Sequence, residues 1–220
     1  MSQNSTIRIV YMGDSITYGQ YVDESVRWTS LVDDRLRERF PEVSFDTFNR
    51  GISGQTTAMG LQRFPQDVQE LAPNIMTLHF GLNDCNCWET DRGLPRMSEL
   101  AYEANLREMI ARARHFGTRE VILMTSHRTL RREPMASGEI YEDASERYSQ
   151  IMRTLAADTT ATLTDIRRAW KEYDDDRLAS YLLPAPDLLH LSAEGNAVYA
   201  ELMWSSIEGA VTNLLKGAHA

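Results

Sequence analysis

The chain has 220 residues, of which 42% are hydrophobic and 25% charged, and its formal net charge is −9. This length and composition fit a globular α/β protein with a sizeable core, and we expect a single domain over residues 1–220. The negative charge argues against a nucleic-acid partner.

Targeting signals and cysteines give further expectations. The sequence lacks the run of about 18 apolar residues that a membrane span needs, so no stable membrane insertion is expected. Residues 1–6 lack the basic start and apolar core of a secretory signal, which predicts a cytoplasmic location. Cys85 and Cys87 are too few for a disulfide framework and are predicted to be free thiols. The oligomeric state stays open.

Short apolar runs alternate with longer amphipathic stretches along the chain. Strands are predicted over residues 7–12, 43–48, 74–80, 120–125 and 161–166. Helices are predicted near residues 27–39, 65–72, 99–115, 140–157 and 193–215, the last with Ser192 as its N-cap. The alternation predicts a parallel sheet with right-handed crossovers.

Three short motifs each follow one of the first three predicted strands: GDS at 13–15, NRG at 49–51 and GLND at 81–84. Ligands of an open parallel sheet bind beyond the carboxyl ends of its strands. If the strand order is 2-1-3-4-5, Ser15, Gly51 and Asn83 stand side by side at that edge, because neighbouring strands lie about 4.8 Å apart. A hydroxyl flanked by a backbone N–H and an amide is the layout of a nucleophile with its oxyanion hole.

A serine hydroxyl needs a base to act as a nucleophile, and the sequence offers five histidines. His79 lies inside the third predicted strand, where a core histidine is expected. His127 ends the fourth strand at the same edge as Ser15 and is the second candidate. His190 is favoured because Asp187, three residues earlier, can hold its imidazole in the productive tautomer.

Together with DLLH at residues 187–190, these motifs resemble the SGNH branch of the GDSL esterase/lipase superfamily. The resemblance spans nearly the whole chain in the family's order, although the first block reads GDSIT instead of GDSL. It implies a flavodoxin-like three-layer α/β/α sandwich of about five parallel strands in the order 2-1-3-4-5. The α/β-hydrolase fold is disfavoured because no G-x-S-x-G occurs and the serine follows the first strand.

The resemblance also implies the chemistry. Ser15 matches the nucleophile, His190 the base and Asp187 the acid that orients it. Gly51, Asn83 and the Ser15 backbone N–H match the oxyanion hole. The implied reaction is acyl transfer from a small-molecule ester through an acyl-enzyme, and it needs no metal or organic cofactor.

Substrate choice is expected to depend on loops at this edge of the sheet, above all residues 85–97 and 127–134. The candidate substrate-binding residues are Asp14, Trp88, Arg92 and Arg128. Trp88, Arg92 and Arg96 are considered as shaping a pocket for a polar or sugar-bearing alcohol, with a packed surface flap as an equal alternative. For Arg128 a solvated basic turn is favoured over contact with an anionic substrate group.

The sequence contains no large apolar loop of the kind that would form a pocket for a long lipid chain. We therefore expect a short-acyl esterase, with a carbohydrate O-acetyl esterase as its most specific form. The alternatives are a lysophospholipase or thioesterase of the same family, and a noncatalytic carbohydrate- or partner-binding module on the same fold.

Overall fold

The computed structural model describes residues 6–217, and at its centre lies a sheet of five parallel strands. The strand order is β2-β1-β3-β4-β5, which confirms the order expected from the sequence. The strands are β1 Thr6–Gly13, β2 Ser44–Gly51, β3 Ile75–His79, β4 Glu120–Met124 and β5 Thr162–Thr164.

Eight α-helices within residues 6–217 connect and flank these strands: α1 Ser15–Tyr18, α2 Trp28–Arg39, α3 Thr57–Phe64, α4 Glu99–His115, α5 Tyr141–Thr159, α6 Ile166–Ala169, α7 Asp175–Tyr181 and α8 Ala193–Gly217. Two 3-10 turns and one π-helical turn complete the elements: Glu24–Val26, Glu89–Asp91 and Pro65–Gln69.

The helices cover the two faces of the sheet in two groups. Helix α2 packs against α8, while α3 packs against α4 and α4 against α5. Right-handed crossovers account for this division. Across the sheet, the chain steps in one direction from β1 to β2 and in the opposite direction from β2 through β3 and β4 to β5. Right-handed connections that run in opposite directions place their helices on opposite faces. The result is the flavodoxin-like three-layer α/β/α sandwich that the sequence predicts.

The two central strands form the middle of the core. Residues 9–12 of β1 are fully shielded from solvent, and every residue of β3 is buried. Successive residues of a strand point to opposite faces, so complete burial means that both faces are covered by helices. Because β1 and β3 are held rigidly from both sides, the loops that leave their ends start from fixed positions.

The register of the sheet brings the three motif-bearing loops to one level. Gly13 at the end of β1 is paired with Gly51 at the end of β2 and with His79 at the end of β3. The loops that follow therefore leave the sheet side by side. A side chain on Gly13 would collide with Thr17 Oγ1 and with the His79 carbonyl, at 2.1 and 2.7 Å from an added Cβ. Glycine is required where β1 turns sharply towards Ser15.

One predicted helix is wrong in position. The sequence predicts a helix near 65–72, whereas α3 runs over Thr57–Phe64 and only a π-helical turn occupies Pro65–Gln69. The N-cap residue of α3, Thr56, makes no side-chain cap. Asp84 caps the helix instead: its Oδ1 accepts hydrogen bonds from the Thr57 backbone N–H at 2.8 Å and from the Thr57 hydroxyl at 2.6 Å. A cap supplied from 27 positions away leaves no local start signal.

Two further differences lie near the C-terminal end. The strand predicted over 161–166 ends at Thr164, because Asp165 caps helix α6 by accepting from the Arg168 N–H at 3.1 Å. Helix α7 was not predicted. The prediction of Ser192 as the N-cap of the last helix is confirmed: its hydroxyl accepts from the Gly195 N–H at 3.1 Å.

Over residues 6–217, no helix has both the length and the apolar character needed to cross a membrane. Residues 1–5, on which the expectation of a cytoplasmic location largely rests, lie outside the described residues.

Candidate active site

Ser15 and His190 meet at the edge of the sheet where β1 ends. Ser15 is the first residue of α1, directly after Asp14, which caps this short helix. Its hydroxyl lies 2.9 Å from His190 Nε2, although 175 positions separate the two residues. Ser15 is only 5% exposed, so the hydroxyl can be reached only through the cavity in front of it.

Asp187 holds His190 from the other side of the ring. Asp187 Oδ2 lies 2.7 Å from His190 Nδ1. Its Oδ1 accepts hydrogen bonds from the backbone N–H groups of Leu189 at 3.0 Å and His190 at 2.6 Å. The carboxylate is thus fixed by the same loop that carries the imidazole, and Nε2 is left facing Ser15.

Asp187 stays ionised because its hydrogen bonds outweigh its burial. Partial burial by itself raises the pKa of Asp187, whereas the bonds from the His190 backbone and side chain and from the Leu189 N–H lower it. The balance holds the pKa below the usual range of an aspartate. An ionised carboxylate at Nδ1 favours the tautomer in which Nδ1 carries the proton and Nε2 can accept one.

Gly54, and not Gly51, faces the cavity beside Ser15. The Gly51 N–H donates to Asn49 Oδ1 at 2.9 Å, and Gly51 is absent from the cavity lining. Gly54 lies three residues further along the same loop, lines the cavity and has a φ of +75°. Within residues 6–217 its N–H donates to no acceptor. Gly51, predicted as an oxyanion donor, therefore does not line this cavity, whereas Gly54 of the same loop does.

Asn83 lies in the cavity as predicted, and its two amide ends have different partners. The Nδ2 donates to Asp14 Oδ2 at 3.2 Å, while Oδ1 accepts from Arg96 Nη1 at 3.4 Å. An amide nitrogen has two protons, and only one is directed at Asp14. The second has no acceptor among residues 6–217.

Asp14 is an internal support and does not line the cavity, contrary to its prediction as a substrate-binding residue. It is fully buried, and its Oδ1 accepts from the Ile16 N–H at 2.9 Å. Burial, with a smaller contribution from the nearby Asp84 carboxylate, raises the pKa of Asp14 to about 7. Burial likewise raises the pKa of Asp84 to about 6.

The other three candidate substrate-binding residues also lie outside the cavity at Ser15. Arg128 donates to the carbonyl oxygens of Trp170, Lys171 and Tyr173 at 2.7 to 3.3 Å, so its charge stabilises a loop end. Trp88 is half exposed and stacks on a neighbouring arginine. Arg92 follows the 3-10 turn with a φ of +50°.

The cavity has a volume of about 250 Å³. It is lined by Ser15, Gln20, Tyr21, Ser53, Gly54, Leu82, Asn83, Asn86, Arg131, Tyr141, Leu189 and His190. A second cavity of about 550 Å³ adjoins it, and Tyr21 and Arg131 line both cavities. The remaining lining residues of the second cavity are Leu183, Pro184, Pro186 and Asp187.

Tyr21 and Arg131 are two residues at the site that the sequence analysis did not identify. The Tyr21 ring packs edge-on against the His190 imidazole with 5.2 Å between ring centres, and it is 67% exposed. Arg131 Nε donates to the Asp187 carbonyl at 2.9 Å. Arg131 belongs to the loop after β4 that was singled out for substrate choice. Tyr21 carried no signal, because it reaches the site through an unusual φ of +70°.

His127, the second candidate base, belongs to the core. It is fully buried, its Nε2 lies 2.8 Å from the Leu189 carbonyl, and its Nδ1 contacts the Tyr199 hydroxyl. Burial lowers the pKa of His127 to about 3. With both ring nitrogens engaged, His127 supports the loop that carries His190.

His79 is the second buried histidine, and it makes stability depend on pH. Neither ring nitrogen has a partner among residues 6–217, and burial lowers the pKa of His79 from 6.5 to about 4. Below pH 6.5 the unfolded chain takes up a proton that the folded chain refuses, so this histidine costs stability as the pH falls from about 6.5 to 4.

We therefore compare the free energy of unfolding of His79→Leu with that of the native chain. Lowering the pH from 7 to 4.5 should shift the difference in favour of the variant by about 2 kcal/mol. Urea unfolding of both proteins at the two pH values measures the change, and buried carboxylates such as Asp14 cancel in the difference. If the difference in unfolding free energy between the two proteins does not change with pH, the histidine is not held neutral by burial.

Both cysteines are free and buried, in agreement with the sequence. Within residues 6–217, no group of three or more His, Cys, Asp or Glu side chains is arranged to hold a metal ion.

Residues 11–198 match the model of the GDSL-like lipase/acylhydrolase family. The chain is 25% identical to an acetylxylan esterase of Geobacillus stearothermophilus, over 91% of this chain and 93% of the relative. It is 29% identical to an arylesterase of Vibrio mimicus, over 62% of this chain and 60% of the relative. The crystal structure of the acetyl xylan esterase AlAXEase superposes with a TM-score of 0.74 at 23% identity, covering 91% and 100% of the two chains.

The match covers well over half of the chain, so the protein belongs to the GDSL-like lipase/acylhydrolase family. It is a carboxylic ester hydrolase. A noncatalytic binding module is therefore not retained as an alternative.

Proposed function

We propose that the protein is a serine esterase that hydrolyses short-acyl esters through a Ser15–His190–Asp187 triad. The observation that carries the proposal is the unbroken chain of hydrogen-bonding contacts from Ser15 Oγ through both ring nitrogens to Asp187 Oδ2. Each contact lies in the range that proton transfer and orientation need.

In this mechanism Ser15 Oγ attacks the ester carbonyl carbon while its proton passes to His190 Nε2. The imidazolium formed is stabilised by Asp187, which is already ionised. His190 then returns the proton to the alkoxide as the bond between the acyl carbon and the alcohol oxygen breaks. A water molecule that gives its proton to His190 attacks the acyl-enzyme, and Ser15 leaves as a hydroxyl, so the acid is released and the enzyme restored.

The proposed oxyanion hole consists of the backbone N–H groups of Ser15 and Gly54 and the Nδ2 of Asn83. Gly54 takes the place first assigned to Gly51, since Gly54 lines the cavity and its N–H is unused within residues 6–217. The negative charge of the tetrahedral intermediate is stabilised by donors that are already oriented before the reaction.

Replacing Asn83 with alanine is expected to lower kcat by about 10²- to 10³-fold, the usual cost of removing one oxyanion donor. KM should change little, because the hydrogen bond strengthens mainly in the transition state. Steady-state kinetics with p-nitrophenyl acetate measure both constants. An increase in KM at constant kcat assigns Asn83 to ground-state binding and removes it from the oxyanion hole.

Three features of the site support a small acyl group on a sugar alcohol. The cavity of about 250 Å³ lies below the usual range of ligand pockets, and much of its lining is polar. The adjoining cavity of about 550 Å³ has room for a larger alcohol. Tyr21 presents an exposed ring between the two cavities, and an aromatic face with a polar edge suits a sugar ring. A relative named acetylxylan esterase aligns over most of both chains, which agrees with this substrate class.

We expect activity to peak at acetyl or butyryl esters and to fall steeply by octanoyl. Each methylene that fits gains only about 0.8 kcal/mol, whereas one that does not fit must displace the cavity wall. A series of p-nitrophenyl esters from acetyl to dodecanoyl tests the acyl preference, and acetylated xylo-oligosaccharides test the alcohol. A profile that rises towards long chains rejects the short-acyl assignment and favours a lysophospholipase or thioesterase.

Trp88→Ala is the matched variant for the acyl series. Because Trp88 lies outside the lining, the variant should keep the chain-length profile of the native enzyme. A changed profile returns Trp88 to the pocket wall that the sequence suggested.

A further inference from the structure

Arg96 connects the two parts of the cavity wall that carry Gly54 and Asn83. A single guanidinium nitrogen, Nη1, donates to the Gly54 carbonyl at 3.0 Å and to Asn83 Oδ1 at 3.4 Å. These two residues follow different strands and lie 29 positions apart, at 54 and 83. Arg96 itself does not line the cavity, so it makes both contacts with the cavity wall from outside the cavity.

The contact with Asn83 determines which end of the amide faces the cavity. The two ends of an amide are nearly equal in shape, so their hydrogen-bond partners decide the orientation. Arg96 can only donate, whereas Asp14 accepts in its ionised form, so Oδ1 turns to Arg96 and Nδ2 to the ionised Asp14. Rotation of the Asn83 amide by half a turn breaks two hydrogen bonds, one from Arg96 to Oδ1 and one from Nδ2 to Asp14. Without Arg96, only the bond to Asp14 opposes this rotation.

The contact with Gly54 adds a side-chain restraint to a glycine that is otherwise held by one backbone turn, in which the Gln55 N–H donates to the Ile52 carbonyl at 3.3 Å. A Cβ built on Gly54 has no neighbour within 4 Å, and its φ of +75° is a conformation that glycine leaves easily. The Gly54 carbonyl bound by Arg96 therefore limits rotation about this residue. Because the φ and ψ of Gly54 link this carbonyl to the Gly54 N–H, which has no acceptor among residues 6–217, the contact narrows the directions that the N–H can take.

Arg96 is in turn held by its own loop. Its backbone N–H donates to the Asn86 carbonyl at 2.8 Å, and the Met97 N–H donates to the Asp84 carbonyl at 3.0 Å. Trp88 stacks on the guanidinium, whose carbon lies 4.1 Å from the ring centre. Such stacking limits the conformations of the side chain and leaves its N–H groups free to donate in the ring plane.

We propose that Arg96, supported by Trp88, is a positioning residue that orients the Asn83 amide and the Gly54 N–H for the oxyanion. The inference rests on the proposed oxyanion hole. It gives the long segment after Asp84 a role in turnover, through the donors and not through contact with the substrate. Misplacement of a reacting geometry by about 1 Å can cost about 10²-fold in rate, so the expected effect is smaller than the loss of a donor but measurable.

The test compares Arg96→Ala with Arg92→Ala, which removes the same charge from the same loop outside the cavity. We expect Arg96→Ala to lower kcat for p-nitrophenyl acetate by about 10- to 100-fold with little change in KM, and Arg92→Ala to leave both unchanged. Arg96→Lys should fall between, because lysine donates but lacks the planar fork that stacks on Trp88. Trp88→Phe should retain more activity than Trp88→Ala.

A second measurement does not depend on turnover. In ¹⁵N NMR spectra, the Asn83 side-chain amide and the Gly54 backbone amide should shift or broaden in Arg96→Ala and stay in place in Arg92→Ala. If Arg96→Ala does not fold, the same comparison is made with Arg96→Lys and Trp88→Phe.

The outcomes separate the two proposals. Unchanged kcat and unchanged Asn83 and Gly54 resonances in Arg96→Ala overturn the positioning role. A rise in KM alone assigns Arg96 to substrate binding and overturns it as well. If the native enzyme hydrolyses no ester, the proposed function fails, and the NMR comparison still decides whether Arg96 orients these groups.

Discussion

Replacing Ser15 with alanine is expected to reduce kcat for ester hydrolysis by about 10⁶-fold, the order of loss when a triad serine is removed. The variant should fold normally, because the substitution removes one hydroxyl at a cavity wall and leaves the Asp14 cap of α1 in place. Hydrolysis of p-nitrophenyl acetate measures the loss, and thermal unfolding checks the fold.

Covalent labelling provides the control for this variant. A fluorophosphonate probe should modify Ser15 in the native chain and leave Ser53, the other serine of the cavity lining, unmodified. The Ser53 hydroxyl contacts Gln20 and forms no hydrogen bond to an imidazole within residues 6–217. Labelling at Ser53, or an active Ser15→Ala enzyme, removes Ser15 from the nucleophile position.

The strands and their order were predictable because they depend on local composition and simple topology. Residues 75–78 are apolar except for Thr77, residues 121–124 are all apolar, and the structure buries all of them. Right-handed crossovers and the order 2-1-3-4-5 then bring the ends of β1, β2 and β3 together. The motifs after these strands were for this reason predictable as neighbours.

The positions of individual side chains were less predictable, because partners from distant parts of the chain decide them. Arg128 follows a strand at the correct edge, yet three carbonyl groups near residue 170 turn it away from the cavity. Asp14 adjoins Ser15 in sequence but is directed into the protein by Ile16 and Asn83. Adjacency to a motif predicts the region and not the direction of the side chain.

The choice between Gly51 and Gly54 illustrates the same limit within one loop. Both glycines follow β2, and the spacing along the chain does not distinguish them. Asn49 Oδ1 accepts the Gly51 N–H at 2.9 Å, whereas Gly54 lines the cavity and its N–H has no acceptor among residues 6–217. Backbone hydrogen-bonding of this kind leaves no mark in residue spacing.

Asp187→Asn is expected to lower kcat by about 10⁴-fold, as when a triad acid is neutralised. The amide retains an oxygen for the Leu189 and His190 N–H groups, so its NH₂ must face His190 Nδ1. That donor favours the tautomer with the proton on Nε2, which can no longer accept the proton of Ser15. Steady-state kinetics of Asp187→Asn, His190→Ala and His127→Gln measure the effect. The kcat of both triad variants should fall far below that of His127→Gln, because the His127 ring is bound to Tyr199 and Leu189 and not to Ser15. If Asp187→Asn retains a tenth or more of native kcat, or His127→Gln is the more damaged enzyme, the proposed acid–base pair is wrong.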